Sequence, residues 1–279
     1  MTRALRLLRV GLHLSAGCAL SEWLYPLLRQ HARQAVRRAW ARDLLGMLGV
    51  RLEAAALQIA PGSLVVANHV SWLDAVALHA LMPAAIIAKT EARRWPLIGR
   101  MLARNDTLFV ERRPCRDLLR VNAAIAARLA RGESVAAFPE GTTTDGAQVL
   151  PFRPALFQPA VAGGHPVRAL VLGYRDGAGR RCAEAAYIGD MNLWQSLWRI
   201  AALPALTLEI RCCGTIPTRG LRRRDAARAA GAAVQCGGWG SNLPPRHEAQ
   251  GVAGSGSAAG WLPSSTGPTW ASSAEVSRT

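Results

Sequence analysis

Lysine is almost missing from this chain: Lys89 is the only one in 279 residues, so the basic surplus is carried by arginine. With 34 Lys plus Arg against 18 Asp plus Glu, the formal net charge is +16. Such a surplus attracts polyanions, whether nucleic acid, an anionic leaflet or an acidic carrier protein. The aromatic-basic signature of an RNA-binding sheet is absent, and so is zinc-finger spacing. The arginines come instead as scattered pairs such as Arg37-Arg38, Arg93-Arg94 and Arg180-Arg181. These absences turn the reading away from nucleic acid and towards a membrane surface, and the preference for arginine fits a GC-rich bacterial genome.

The cysteines are also uninformative in a useful way. Cys18, Cys115, Cys182, Cys212, Cys213 and Cys236 contain no Cys-x-x-Cys pair, so reduced structural thiols in a cytoplasmic setting are expected, with no metal. No Gly-x-Ser-x-Gly elbow occurs, which argues against a serine hydrolase. No clean small-x-small cleavage site follows the apolar stretch from Val10 to Leu28, so a removed signal peptide is not expected. That stretch follows Arg3, Arg6 and Arg9 and is long enough to cross a hydrocarbon core of roughly 30 Å. His13, Glu22 and Pro26 make it a poor spanning helix, and it suits the interface equally. Residues 1–50 are therefore read as a retained, membrane-associated helical segment.

What is present begins with Asn68-His69-Val70-Ser71-Trp72-Leu73-Asp74. Leu64 to Ala67 reads as a short buried strand and Trp72 to Leu81 as a helix, so this polar island sits at a strand-to-helix turn, where α/β folds gather their sites. A neutral imidazole accepts a proton near pH 7, and works best when a carboxylate holds its other nitrogen. Asp74 is placed to do this for His69. The same residues also fit a helix cap, with Ser71 as N-cap and Asp74 accepting from backbone donors. The two readings are compatible, because a capped helix start is a rigid mount for a carboxylate.

A second island follows another apolar run: Phe138-Pro139-Glu140-Gly141-Thr142-Thr143-Thr144-Asp145-Gly146. Glycine allows close backbone approach, and three successive hydroxyls with free amides suit an oxygen-rich ligand. Taken alone, it is equally an ordinary Gly-rich turn.

With both islands in view, the chain resembles the glycerolipid (lysophosphatidate-type) acyltransferases. The first family motif, Asn-His-x-x-x-x-Asp, matches at Asn68, His69 and Asp74, and the third, Phe-Pro-Glu-Gly-Thr, at Phe138 to Thr142. The second resembles Phe109-Val110-Glu111-Arg112. The resemblance covers roughly residues 60 to 215. It implies transfer of a fatty acyl group from a thioester, on acyl carrier protein or coenzyme A, to a lysolipid hydroxyl. It also implies His69 as general base, Asp74 as its orienting partner, and Glu111, Arg112, Glu140, Gly141 and Thr142 as acceptor-binding residues. No cofactor, metal or covalent enzyme intermediate is implied. The expected setting is the cytoplasmic face of a bacterial inner membrane.

One departure bears on the acceptor. Many family members that acylate lysophosphatidate carry arginine after the Pro-Glu-Gly-Thr turn, a natural partner for a phosphate monoester; here that position is Thr143. Arg112, Arg113 and Arg153 offer compensation. The longer run to Gly146, followed by Leu150-Pro151-Phe152-Arg153, is more similar to the bacterial lyso-ornithine lipid acyltransferases, which esterify the 3-hydroxyl of an amide-linked fatty acid. A lyso-ornithine acceptor is therefore preferred over lysophosphatidate, the alternative. A fourth motif, a proline-containing strand, is only partly present in His165 to Leu172, where Ala169 stands in place of its later proline.

Strand-like and helix-like stretches alternate from about Arg51. Ala84 to Ala88, Thr107 to Glu111, Val167 to Leu172 and Ala205 to Ile210 read as strands. Pro96 to Ala103, Leu118 to Leu129 and Leu193 to Ala202 read as helices, with Gly132 placed to end the second of these. The pattern predicts one α/β domain over 51–235, a mostly parallel sheet flanked by helices. Residues 236–279, rich in Gly, Ser, Pro and Ala without period, read as a disordered low-complexity tail. A non-enzymatic lipid-binding protein would share the charge and the anchor, but would not require His69 beside Asp74.

Overall fold

The computed structural model describes residues 2–54, 57–95, 98–110 and 115–238. Seven strands form its sheet: β1 (Val50–Ala54), β2 (Leu64–Ala67), β3 (Ala84–Lys89), β4 (Leu108–Val110), β5 (Ser134–Ala137), β6 (Val167–Asp176) and β7 (Leu206–Ile216), in the order β1-β7-β6-β2-β5-β3-β4. All neighbours pair in parallel except β6 and β7, which are antiparallel. The α/β architecture read from the alternation is therefore the observed one.

The helices are α1 (Arg3–Ala19), α2 (Gln30–Met47), α3 (Leu73–Leu81), α4 (Ile98–Arg104), α5 (Cys115–Ala130), α6 (Gln158–Gly163), α7 (Leu193–Ile200) and α8 (Arg223–Cys236). They cover both faces of the sheet, and strand parity decides which side chain meets which layer. Val65 and Ala67 of β2 join Val10, Leu44, Leu73, Leu78 and Ile200 in one core layer. Leu64 and Val66 turn the other way, to Ile125, Ala160, Ala226 and Val234. In α5, Val121, Ile125 and Leu129 recur at four-residue spacing and are buried, and Gly132 lies just beyond at φ +77°, a conformation that glycine takes without strain.

Two local readings take a definite form in the structure. No helix among the described residues is long and apolar enough to cross a membrane. The stretch Val10 to Leu28 is instead the end of α1, a π-helical turn over Leu20–Leu24 and a 3-10 turn over Tyr25–Leu27, with Pro26 in that last turn. Val10 and α2 residues Ala41, Leu44 and Leu45 are buried in the same core as the sheet, so the N-terminal segment packs against the domain. Ser71 is not the N-cap of α3. The capping position is Trp72, in helical conformation and without a side-chain cap bond, because the Asp74 carboxylate takes the free amides at this turn.

Candidate active site

Strand β2 ends at Ala67, beside Leu170 of β6. Asn68 prolongs that ladder with its side chain: its Nδ2 donates to Leu172 O at 2.9 Å, and its Oδ1 accepts from Leu172 N at 2.8 Å. The next residue, His69, is thereby fixed at the carboxyl end of the sheet. Its Nδ1 lies 2.8 Å from Asp74 Oδ2. That oxygen also accepts from Val70 N at 2.7 Å and Ser71 N at 2.9 Å, while Oδ1 accepts from the Tyr174 hydroxyl at 2.6 Å. Asp74 is fully buried and every one of these contacts brings it a donor, so the imidazole proton belongs on Nδ1 and Nε2 is left as the proton acceptor. The His69 side chain keeps 21% of its surface accessible, enough to meet a substrate.

The second island closes over the first because β2 and β5 are neighbours, with Val66 opposite Ala137. Phe138, next after β5, stacks on His69 with ring centroids 4.1 Å apart. Glu140 Oε1 accepts from His69 N at 2.7 Å and its Oε2 from Leu150 N at 2.9 Å, so one buried carboxylate ties the two motif loops and the following segment together. Burial pushes the Glu140 pKa up, against the two amide bonds that favour its ionised form. Gly141 takes φ +71°, and a Cβ there would come within 2.7 Å of Arg153 Nε, so glycine is what lets this guanidinium lie against the turn. Thr144 N donates to His69 O at 2.8 Å. Both Glu140 oxygens are thus occupied by backbone amides, which makes the residue an organiser of the loops.

His69, Trp72, Phe138, Gly141, Thr143 and Arg153 line a cavity of about 1010 Å³ whose walls are largely apolar. It continues between α1, α2, α3 and α4, past Leu14, Gly17, Trp40, Val76 and Met101, and also meets Tyr25, Arg37, His79 and Asn105. Lys89, Glu91 and Arg153 supply charges of both signs. Of the sequence-predicted residues, His69 and Gly141 line the cavity, and Asp74 and Glu140 are buried behind them, bonded to His69. Thr142 stands in the same turn and, like Asp74 and Glu140, does not line the cavity. Glu111 and Arg112 lie outside the described residues.

Sequence reasoning missed Tyr174. It stands 100 residues from Asp74, inside the apolar run of β6, and nothing near it in sequence marks it. Only its parity with Leu170 and Leu172, which face the α3 layer, would have pointed to it.

The geometry is that of a base with a buried orienting carboxylate beside an apolar cavity, and relatives bear on its use. An Acyltransferase family model matches residues 50–173. A 1-acyl-sn-glycerol-3-phosphate acyltransferase of Neisseria gonorrhoeae is 37% identical over 69% of this chain and 80% of its own length. A lyso-ornithine lipid O-acyltransferase of Pseudomonas aeruginosa is 35% identical over 87% of this chain and 93% of its own. The crystal structure of the 1-acyl-sn-glycerophosphate (LPA) acyltransferase from Thermotoga maritima shares the fold, with a TM-score of 0.61 at 18% identity over 85% of this chain and 96% of that one. The chain belongs to the glycerolipid acyltransferase family and is an O-acyltransferase of the lysophospholipid type.

Proposed function

We propose that this enzyme acylates lyso-ornithine lipid, using an acyl thioester of acyl carrier protein or coenzyme A, at the cytoplasmic face of a bacterial inner membrane. The observation that carries the catalytic part is the His69–Asp74 pair, 2.8 Å apart, with His69 in the wall of the apolar cavity and Asp74 buried behind it. His69 Nε2 takes the proton of the acceptor hydroxyl as its oxygen attacks the thioester carbonyl carbon. Asp74 holds the imidazolium that forms. The tetrahedral oxyanion collapses, the carbon–sulfur bond breaks, and the thiolate leaves with the proton returned by His69. The products are an ester and a free thiol, with no covalent enzyme intermediate and no cofactor or metal.

Three features favour the ornithine acceptor. The Pseudomonas relative aligns over more of both chains than the Neisseria one. Thr143 stands where an arginine would serve a phosphate monoester, and its hydroxyl is spent on Tyr187 O. The cavity lining combines Arg153 and Lys89 with Glu91, a mixed set that suits a headgroup carrying both carboxylate and ammonium better than a dianion. Lysophosphatidate is the second reading, favoured by the Arg153 guanidinium against Gly141. The net charge of +16 would draw both an acidic acyl carrier and an anionic leaflet.

The deciding experiment offers membranes containing the protein a labelled acyl carrier protein thioester with equal lysophosphatidate and lyso-ornithine lipid, beside a His69→Ala control. Label in ornithine lipid, lost in the control, is the expected result. Label in phosphatidate keeps the mechanism and overturns the acceptor.

A further inference from the structure

The segment from Tyr187 to Trp198 runs from the cavity wall to the protein surface. At its start Tyr187 lines the cavity, its amide donating to Val70 O at 2.9 Å and its carbonyl accepting from the Thr143 hydroxyl. The chain then turns outward: Ile188 is 41% exposed, Trp194 60% and Trp198 45%. The two tryptophans stand four residues apart on α7, ring centroids 6.1 Å apart, on the side opposite buried Ser196. This helix is firmly held. Asn192 and Gln195 form a capping box at its start, and Leu197 and Ile200 anchor it in the core. Ser196 Oγ accepts from Trp72 Nε1 at 3.0 Å, and Trp72 lines the cavity three residues after His69.

A rigid helix that turns two tryptophans to solvent while its other face supports the cavity wall needs an occupant for the outer face. The surroundings indicate which. The Arg3 guanidinium lies 3.9 Å over the Trp198 ring and its Nε donates to Trp198 O at 3.2 Å. Arg6 donates to Ala201 O and Leu203 O at 3.0 Å, so the start of α1 is fastened to the end of α7. That helix itself turns Leu5, Leu8 and Leu12 outward. Arg199 is exposed next to Trp198, and Asp190 is the single acid between Ile188 and Arg199. Amphipathic indole rings bordered by arginines match the headgroup layer of an anionic bilayer, where the ring sits at the acyl boundary and the cation meets phosphate.

We propose that Ile188, Trp194 and Trp198 form a lipid-docking surface, distinct from the outer face of α1, that holds the cavity against an anionic bilayer. The proposal rests on the reading that the enzyme works at a lipid surface and adds the element that positions the cavity there.

The test is flotation of the full chain with vesicles of phosphatidylcholine, with and without phosphatidylglycerol. Trp194→Gln/Trp198→Gln is compared with Trp194→Phe/Trp198→Phe and with Leu8→Gln/Leu12→Gln. The Gln pair is expected to lower partition onto anionic vesicles about tenfold, and the Phe pair much less, because binding follows buried apolar area. Acyl transfer to lysolipid in detergent micelles should stay near wild type in all of these variants. Should the Gln pair melt at a lower temperature, quenching by brominated lipid decides instead: wild-type fluorescence must be quenched more than that of the Phe pair. Unchanged partition in a folded Gln pair, with release by the α1 pair, overturns the α7 surface and keeps the membrane reading. A wild type that floats with neither vesicle overturns both. A lipid-free dimer in sedimentation that the Gln pair dissolves overturns the proposal in favour of a second copy of the chain.

Discussion

The Tyr174 hydroxyl donates to Asp74 Oδ1 at 2.6 Å across 100 residues of sequence, and it is the one side chain besides His69 that touches this carboxylate among the described hydrogen bonds. Burial, and after it the charge of Asp74, holds the Tyr174 pKa well above the usual phenol range, so the group remains a donor throughout the working pH range. Tyr174→Phe is expected to cost about 1–3 kcal/mol of stability, since it leaves a buried carboxylate oxygen short of a donor. Turnover should fall about tenfold with KM little changed, because a less restrained Asp74 orients His69 less well. Thermal unfolding and steady-state kinetics check the two parts separately, and unchanged turnover would remove Tyr174 from the positioning of the base.

Asp74→Asn and His69→Ala are expected to lower kcat by about 10²–10⁴ while leaving lysolipid binding largely intact, as loss of general base catalysis predicts. Single-turnover rates and equilibrium lysolipid binding separate these effects. Unaltered turnover in Asp74→Asn would exclude it from the mechanism.

Glu140→Gln keeps the size of the side chain but replaces one oxygen by an NH₂ group that must face a backbone N–H, either that of His69 or that of Leu150. A drop in stability of roughly 1–3 kcal/mol is expected from that unmet pairing. The two motif loops should loosen, raising KM for the acceptor more than lowering kcat. Kinetics in which only kcat falls would assign Glu140 a direct chemical part.

His79 carries the pH prediction. Burial, and secondarily the positive charge of Arg37, lowers its pKa from 6.5 to about 3. Between these values the unfolded chain binds a proton that the folded one refuses. Stability should therefore fall as pH drops through that window, by at most about 1.4 kcal/mol per pH unit from this group. His79→Leu should flatten that slope in denaturant melts.

Thr143→Arg places a guanidinium at the turn but gives up the bond from the Thr143 hydroxyl to Tyr187 O. The ratio of lysophosphatidate to lyso-ornithine acylation should rise by about tenfold for a gained bidentate contact, with a small loss in melting temperature. An unaltered ratio counts against the acceptor argument.

The alternation of apolar runs from β2 to α7 was readable because each element carries its own period, and β5 and α3 lie within a residue or so of where that period ends. The antiparallel pairing of β6 with β7 was not readable: β6 is an apolar run, and β7 alternates Leu206, Leu208 and Ile210 with Thr207, Glu209 and Arg211, which marks a strand with one polar face and not the direction of its neighbour. Helix α8 also went unread: its buried positions are Ala226, Ala227, Ala230 and Val234, side chains too small to stand out as an apolar stripe. At the site, the sequence brought out His69, Asp74, Glu140 and Gly141 because each sits in a short motif. Of the cap reading, the part that has Asp74 accepting from backbone donors holds, at the Val70 and Ser71 amides, while the capping position is Trp72 and not Ser71.

Sequence alone carried the family, the alternating α/β order and the pairing of His69 with Asp74, since five residues across one strand-to-helix turn suffice to bring the two together. Tertiary structure alone decided that Glu140 meets the His69 amide, that Tyr174 completes Asp74, and that α7 carries its tryptophans outward beside Arg3. The reason is physical. Contacts within a motif are fixed by bond geometry over a few residues, whereas these depend on which strands become neighbours and in what register, and that is settled by burying both faces of the sheet at once.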